Sequence, residues 1–335
     1  MRNHSLLLLS LLLGLAGCPS AGEENPGDDD DAVGDDDDAV GDDDDSVDTT
    51  APYVVSTSPE DGAAGVWSDT AIEIWFSEAM NIPSVEGALD TSSLGDVGMS
   101  WNDGDDVLTI APIAFLQYAA GDGNDPTSVE PREYRVVLGT GATDREGNAI
   151  EAGHEVVFTT LKRMDATYER DNDVTGTATR SGPVGDGNDY LRVGDDDEDA
   201  ALRAFVTFDL SEMPASAVGV ESAWLYTTLV SDQIGDPWSL GLEVLVEHGV
   251  YPRVDGEAWA ADPLTESGGL QDSGGGSLYL SVSDEVEDDI LNRAAREDRS
   301  QFRFRMAVED NENGVADQVY LSRDALELEV TYLAP

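Results

Sequence analysis

The chain is 335 residues long and carries 71 acidic against 17 basic residues, a formal net charge of −54. Nucleic acid and anionic lipid repel so acidic a chain, so both are excluded as direct partners. A single cysteine excludes an internal disulfide and a cysteine-based metal site. About 285 residues follow the acidic stretch, and this length is enough for two cores of ordinary size.

Residues 1–17 have the three-part layout of a secretory signal. Arg2 and His4 form a polar start, and a leucine-rich core then leads to small residues before Cys18. The apolar core is too short to span a bilayer as a stable helix. Residues 15–18 (LAGC) resemble the lipobox of bacterial lipoproteins. The resemblance implies cleavage before Cys18, lipidation of its thiol, and anchorage in the cell envelope, at the outer membrane. The alternative is an ordinary signal peptide that contains a cysteine.

Residues 18–50 are interpreted as the lipidated cysteine followed by a tether. Within them, residues 28–47 repeat a seven-residue unit that reads DDDDAVG twice and then DDDDSV. Adjacent carboxylates repel one another and have nothing to bury, which predicts a disordered, extended spacer. The alternative is a calcium-collecting segment, but a flexible run lacks a fixed coordination cage.

Residues 51–160 alternate apolar and polar side chains in short segments separated by turn-rich stretches. This two-residue period predicts an antiparallel β-sandwich in which each strand buries one face. The apolar positions of three such segments are Ile72, Ile74 and Phe76; Tyr134, Val136 and Leu138; and Val156 and Phe158.

The motifs of this region resemble those of bacterial Ig-like domains of the SbsA type. They are residues 58–63 (SPEDGA), 76–80 (FSEAM), 144–149 (DREGNA) and 157–160 (VFTT), in the family's order. The resemblance implies a structural spacer. Asp144 is expected to hydrogen-bond the tight turn at Gly147 and Asn148 rather than perform chemistry. Residues 119–130 depart from the family pattern and are predicted to be a surface loop.

Residues 161–335 alternate even more regularly. Each segment is predicted to bury one face and to expose the other, as antiparallel sandwiches require. The apolar positions are Leu202, Ala204, Val206, Phe208 and Leu210; Ala223, Leu225, Thr227 and Leu229; Leu242, Val244 and Val246; Phe302, Phe304, Met306 and Val308; and Leu326, Leu328, Val330 and Tyr332. One helix is predicted at 284–297, with Ser283 as N-cap and a buried stripe of Val286, Ile290, Leu291 and Ala294.

Residues 191–194 (LRVG), 203–211 (RAFVTFDLS) and 321–324 (LSRD) resemble the DNRLRE-type jelly-roll module. That module is related to a carbohydrate-binding family with alginate-binding members. The resemblance implies a glycan-binding jelly roll, with a poorer match over residues 251–277. The fold class is therefore all-β: an Ig-like β-sandwich (51–160) followed by a β jelly-roll sandwich with one short helix (161–335).

Aromatic side chains are the groups that stack on the faces of sugars. The candidates for this role are Trp224, Tyr226, Trp238, Tyr251 and Trp259. For each of them, packing in a core or under a loop is the alternative. Arg203, together with Arg303 and Arg305, is predicted to point away from the core, where it would meet an anionic polysaccharide. The alternative for these arginines is pairing with nearby carboxylates.

Loops that carry Asp, Asn and Gly offer the oxygen ligands that calcium prefers, so a structural calcium is a further prediction. An EF-hand is excluded at residues 309–320, because its twelfth position is Tyr320, which has no carboxylate. The candidate ligands are Asp171, Asp173, Asp186, Asp189 and Asp310, with further oxygen ligands in residues 195–197 and at Asn311 and Asn313.

Three functions are consistent with the sequence. The first is a non-enzymatic, membrane-anchored envelope lipoprotein whose jelly roll binds polysaccharide or an envelope protein. The second is a purely structural envelope protein without a specific ligand. The third is a polysaccharide-active enzyme, for which carboxylate pairs are abundant but no nucleophile elbow or histidine metal motif is found. No catalytic residue is therefore assigned.

Overall fold

The computed structural model describes residues 48–185, 189–230, 233–271 and 276–335. The predicted lipidation site Cys18, the aspartate run and the calcium candidate Asp186 lie outside the described residues. Val47–Pro335 form one compact unit. Its described part consists mainly of strands, which confirms the all-β prediction. No helix in this part of the chain is long and apolar enough to cross a membrane.

The first region, up to residue 160, is a sandwich of two facing sheets. Its elements are β1 (Val54–Ser58), β2 (Ile72–Phe76), α1 (Ile82–Ala88), β3 (Leu89–Asp90), β4 (Val97–Trp101), β5 (Val107–Pro112), β6 (Ala119–Asp122), β7 (Glu133–Leu138) and β8 (His154–Thr159). One sheet has the order β1-β2-β5-β4 and the other β3-β7-β8. The predicted alternation is confirmed, because every apolar position named above for this region is buried in one core.

The second region is a larger sandwich with two layers. Its elements are β9 (Lys162–Glu169), β10 (Gly176–Thr179), β11 (Gly182–Val184), β12 (Tyr190–Asp195), β13 (Ala201–Asp209), β14 (Gly219–Leu229), β15 (Val244–His248), α2 (Gly256–Ala260), β16 (Thr265–Leu270), β17 (Gly276–Ser281), α3 (Ser283–Leu291), α4 (Arg293–Arg296), β18 (Arg299–Met306), β19 (Asp317–Ser322) and β20 (Glu327–Ala334). One layer runs β16-β15-β18-β13 and continues through β10 to β11. The other contains β12, β19, β14, β20 and β9, with β17 beside β14. The layers join where β12 pairs with β13.

The inner faces of these layers are the predicted apolar positions, with two exceptions at strand ends. Leu242 is 83% exposed and Val308 is 49% exposed. Both lie just outside the sheet, because β15 begins at Val244 and β18 ends at Met306.

The predicted helix is present but is broken into two at Asn292. Val286 and Ile290 are buried as expected, whereas Leu291 is 67% exposed and Ala294 is also exposed. The prediction for these two residues was wrong, because Leu291 ends the first helix on its exposed side and Ala294 belongs to the second helix, none of whose residues is buried. Ser283 does not cap the helix; its hydroxyl accepts a hydrogen bond from the backbone N–H of Ala223 at 2.9 Å.

A third layer covers the outer face of the sheet that contains β13. It comes from the segment around α2 and forms a second, smaller core; the core's members are Val174, Ala178, Phe205, Tyr251, Ala258 and Trp259. β13 is consequently buried on both faces, with both Phe205 and Val206 fully inaccessible.

The insertion at residues 119–130 is an integral part of the second sandwich, so the prediction of a surface loop was wrong. Its strand β6 runs parallel to β9 at the edge of the sheet. The Tyr332 hydroxyl donates to the carbonyl of Gly123 at 3.1 Å, and Val129 packs against the larger core. A methyl group on Gly121 would lie 2.2 Å from Val129 Cγ2, so the close approach requires glycine. The insertion therefore ties the two sandwiches together.

Candidate functional site

Three aromatic side chains lie together on the outer face of β14 and β17. Because Leu225 points into the core, its neighbours Trp224 and Tyr226 point outward. Tyr226 pairs directly across the strands with Tyr279, which is 63% exposed. The Tyr279 ring centroid lies 5.7 Å from that of Trp224 and 6.1 Å from that of Tyr226. These three residues, which we call the aromatic strip, form a continuous aromatic surface, in which the plane of the Tyr279 ring meets those of Trp224 and Tyr226 at 71° and 43°.

Carboxylates border the aromatic strip on the side of β20. Partial burial raises the pKa of the Tyr226 hydroxyl, and the neighbouring carboxylate of Glu329 raises this pKa further. A cleft of about 410 Å³ lies beside Trp224. Its described lining residues include the carboxylates of Asp122, Asp165 and Glu329 and no basic side chain. Asp122 belongs to β6, so the inserted strand supplies part of the wall.

Two of the predicted aromatic candidates, Tyr251 and Trp259, are buried rather than displayed. Tyr251 is 4% exposed, and its hydroxyl donates to the carbonyl of Val206 at 2.7 Å. Trp259 is 3% exposed, and the guanidinium carbons of Arg203 and Arg180 lie 3.9 and 4.6 Å from its ring centroid. Neither ring has a free face for a sugar in this arrangement. Both belong to the third layer, which sequence alternation does not reveal, and they pack into its small core.

Trp238 is partly buried, and it is neither in the small core with Tyr251 and Trp259 nor part of the aromatic strip. Its indole N–H donates to the side-chain oxygen of Gln233 at 3.1 Å, and its ring packs against the larger core. It lies in a short 3-10 helix (Pro237–Leu240), on a different element from the aromatic strip.

The arginines predicted to face outward do leave the main core, but the third layer buries two of them. Arg203 donates to the carbonyl of Trp259 at 2.6 Å and pairs with Glu309. Arg303 and Arg305 both pair with the buried Glu247, at 2.5 and 2.6 Å. Burial alone would raise the pKa of the Glu247 carboxyl, but hydrogen bonds from Arg305 and Arg303 hold the pKa below its usual value. These cations are neutralised within the protein.

The predicted calcium candidates lie in separate loops. Asp171 accepts a hydrogen bond from the backbone N–H of Asp173 at 2.9 Å in a local turn. Asp189 is exposed and Asp310 is half-buried. None of the four belongs to the one group of three neighbouring carboxylates found in the described ranges, which is Asp48, Glu78 and Asp144.

Asp144 is engaged by its own loop, as the sequence predicted. Its Oδ1 accepts from the backbone N–H groups of Gly147 and Asn148 at 2.6 and 2.7 Å. Its Oδ2 accepts from the side chain of Asn148 at 2.7 Å. Although burial opposes ionisation, the donors from Asn148 and Gly147 lower the pKa of Asp144. The carboxylate therefore holds the turn that Gly147 makes at φ +96°.

The structure also brings together two buried carboxylates, of which the sequence predicted only one as a candidate ligand. Asp195, from one of the candidate calcium loops, lies opposite Asp317 at the end of the β12–β19 pairing. Both are buried, at 0% and 2% exposure. Burial raises the pKa of Asp195, whereas the backbone N–H of Asp236 lowers that of Asp317. Asp317 gave no signal in the sequence, because it begins a strand more than 100 residues from its partner.

A buried histidine–aspartate pair lies beneath α3. Nε2 of His248 lies 3.0 Å from both carboxylate oxygens of Asp289, and Arg296 approaches the same carboxylate at 3.2 Å. Burial raises the pKa of Asp289, and contacts with His248 oppose the shift. His248 is 2% exposed, so the pair connects the helix to the sheet from a buried position.

Comparison with known proteins identifies the first region. Residues 48–160 match a family model described as a bacterial Ig-like domain. Two structures of the surface-layer protein SbsC, rSbsC(31-844) and domains 1-6, are each 11% identical, with a TM-score of 0.23 over 69% of this chain and 32% of that chain. This chain thus spans about a third of the SbsC chains.

A third structure combines manganese lipoxygenase of Gaeumannomyces graminis with part of zonadhesin of Komagataella pastoris. It is 11% identical, with a TM-score of 0.18 over 85% of this chain and 92% of that chain. No curated protein matches the chain. The residue motifs, the two facing sheets and the family match agree that residues 48–160 form a bacterial Ig-like domain.

Proposed function

We propose that this protein is a non-enzymatic envelope lipoprotein in which the Ig-like domain is a spacer and the second sandwich binds a glycan. The observation that carries the proposal is the aromatic strip of Trp224, Tyr226 and Tyr279 on an open sheet face. The DNRLRE-type resemblance of residues 161–335 supports the same assignment. Cys18 carries the lipid anchor, and residues 18–50 hold the folded unit away from the outer membrane.

The chemistry beside the strip favours a neutral glycan over an anionic one. Flat aromatic faces stack on the apolar faces of sugar rings, while carboxylates such as Glu329 and Asp165 accept hydrogen bonds from sugar hydroxyls. The same carboxylates repel uronic acids and sulfated sugars. The arginines that would attract an anionic polymer are engaged elsewhere, notably with Glu247 and Glu309.

Binding of neutral and acidic polysaccharides to the chain of residues 19–335 tests this assignment. We expect saturable binding to at least one neutral polysaccharide. Binding should weaken about tenfold or more in Trp224→Ala and in Tyr279→Ala, a loss of about 1.4 kcal/mol or more. The matched control is Phe115→Ala, which removes a ring that is 74% exposed on the Ig-like domain.

The outcomes separate the candidate functions. Equal binding by the strip variants and the wild type would remove the strip from the site. Absence of binding across the panel, by protein shown to be folded, would favour the purely structural envelope protein. Release of shortened products would instead revive a polysaccharide-active enzyme.

The anchor is tested by Cys18→Ser in a bacterial host that processes lipoproteins. We expect the wild-type chain to enter the detergent phase on Triton X-114 partitioning and to incorporate labelled fatty acid. The variant should remain in the aqueous phase without label, because lipidation needs the thiol. Membrane retention of the variant would contradict lipid anchoring.

A further inference from the structure

The end of the β12–β19 pairing contains a buried carboxylate oxygen with no partner. Asp195 is fully inaccessible, and its Oδ1 accepts from the backbone N–H of Asp317 at 2.9 Å. Its Oδ2 has no hydrogen-bond partner among the described residues. An unpaired buried carboxylate oxygen is costly, because the protein has removed it from water without replacing the lost interactions.

Asp195 lies opposite a second carboxylate, Asp317, which two side-chain amides contact. Asp317 Oδ1 accepts from the backbone N–H of Asp236 at 2.5 Å. Its Oδ2 accepts from the side-chain amides of Asn311 at 2.7 Å and Asn313 at 3.1 Å. Two carboxylates and two amides are therefore gathered around a strand end that lies inside the protein.

The backbone comes unusually close to this cluster. A methyl group on Gly235 would lie 2.0 Å from Asp317 Oδ1 and 2.3 Å from the carbonyl oxygen of Ala316. A methyl group on Gly194 would lie 1.9 Å from the carbonyl oxygen of Asp317. Only glycine fits at either position, and both adopt positive φ, at +66° and +136°.

A proton on Asp195 would turn Oδ2 into a donor, which then requires an acceptor within hydrogen-bond distance. It would remove the charge of Asp195 and leave that of Asp317 in place. A cation satisfies the oxygen and also balances the neighbouring charge of Asp317.

We propose that Asp195, Asp317, Asn311 and Asn313 bind one divalent cation, with calcium as the fitting ion. All four side chains offer oxygen ligands, which calcium prefers to nitrogen or sulfur, and two carboxylates match its charge. Rotating either amide by 180° exchanges its NH₂ group for its carbonyl oxygen, which turns a donor to Asp317 into a ligand. The rotation also releases the backbone N–H that the amide oxygen now accepts, that of Asn313 for Asn311 and that of Val315 for Asn313. Asp195 Oδ2 is the central ligand.

The bound ion would fasten the loop of residues 310–316 to the corner where the two layers meet. The same loop already contacts the β12–β13 turn, because Asp199 accepts from the backbone N–H of Gly314 at 2.9 Å. None of the proposed ligands belongs to the aromatic strip. This inference therefore goes beyond glycan binding, and its outcome does not depend on the ligand of the strip.

Calorimetric titration of calcium into the chain of residues 19–335 tests the site. We expect one tight site in the wild type above the weak binding of the aspartate run, and a melting temperature about 5 °C higher in 1 mM calcium than in chelator. Asp195→Asn keeps the shape and removes the charge, so the tight site and the calcium-dependent shift should both be lost. The control Glu198→Gln changes an exposed carboxylate in the β12–β13 turn, three residues further along the chain, and should retain both.

A second, less disruptive variant tests the site if Asp195→Asn does not fold. Asn313 is exposed, so Asn313→Ala should remain folded and bind calcium about tenfold more weakly. Wild-type protein that shows no tight site, or whose melting temperature is unchanged by chelator, would overturn the proposal. Tight binding that survives in folded Asp195→Asn, or that Asn313→Ala leaves unchanged, would overturn it as well.

Discussion

The two sandwiches place charged groups inside the protein in different ways. In the Ig-like domain, the fully buried carboxylate of Asp144 bonds to residues three and four positions further along its own loop. In the second sandwich, Glu247 pairs with Arg303 and Arg305, which are 56 and 58 residues away. A local bond shapes a turn, whereas a long-range ion pair joins neighbouring strands of one sheet that are far apart in the chain. The first sandwich therefore holds its buried charge through local sequence, whereas the second does so through its tertiary structure.

The largest expected effect is the loss of the buried ion pair. Glu247→Gln leaves Arg303 buried without its counter-charge, and we expect about 3–5 kcal/mol less stability towards urea. Tryptophan fluorescence during unfolding measures this change. The control is Glu155→Gln in the Ig-like domain, which breaks an exposed pair with Arg135 and should leave the midpoint unchanged. Equal effects of the two variants would remove the distinction between the sandwiches.

A smaller effect is expected where the two sandwiches meet. Gly121→Val places side-chain atoms where Val129 lies, so β6 should separate from β9 at a cost of about 1–3 kcal/mol. Hydrogen exchange would show this as faster exchange of amides in residues 119–130. Gly87→Ala is the control, because no atom lies within 4 Å of the added methyl group. Unchanged protection in Gly121→Val would show that β6 does not tie the domains together.

The smallest expected effect is the pH dependence of the Glu247 pair. The pKa of Glu247 is held below its ordinary value of 4.5, so its ionised form contributes stability above that pH. This contribution is lost as the pH falls through the lowered pKa. The melting temperature of the wild type should therefore fall more steeply below pH 4.5 than that of Glu247→Gln. If the melting temperatures of the two proteins fell in parallel as the pH is lowered, a lowered pKa of Glu247 would be contradicted.

Sequence alternation predicted most strands and half of the candidate site. Trp224 and Tyr226 were expected on the face opposite Leu225, and both lie there, because the side-chain period of a strand is a local property. Tyr279 was missed, since only cross-strand pairing brings it beside residues that precede it by more than 50 positions. Asp317 was missed for the same reason, although its partner Asp195 lies in a loop that the sequence did single out.

By itself, the sequence determined the fold class, the faces of most strands and the acidic character of the whole chain. The alternation that sets the fold class and the strand faces repeats every few residues, and the net charge is a sum over all residues. Only the tertiary structure decided what covers each outer face. It packed Tyr251 and Trp259 into a third layer that Arg203 contacts, and it made Ala119–Asp122 an edge strand. Contacts between segments far apart in the chain produce both results. The alternation of apolar and polar residues within one strand does not indicate such contacts.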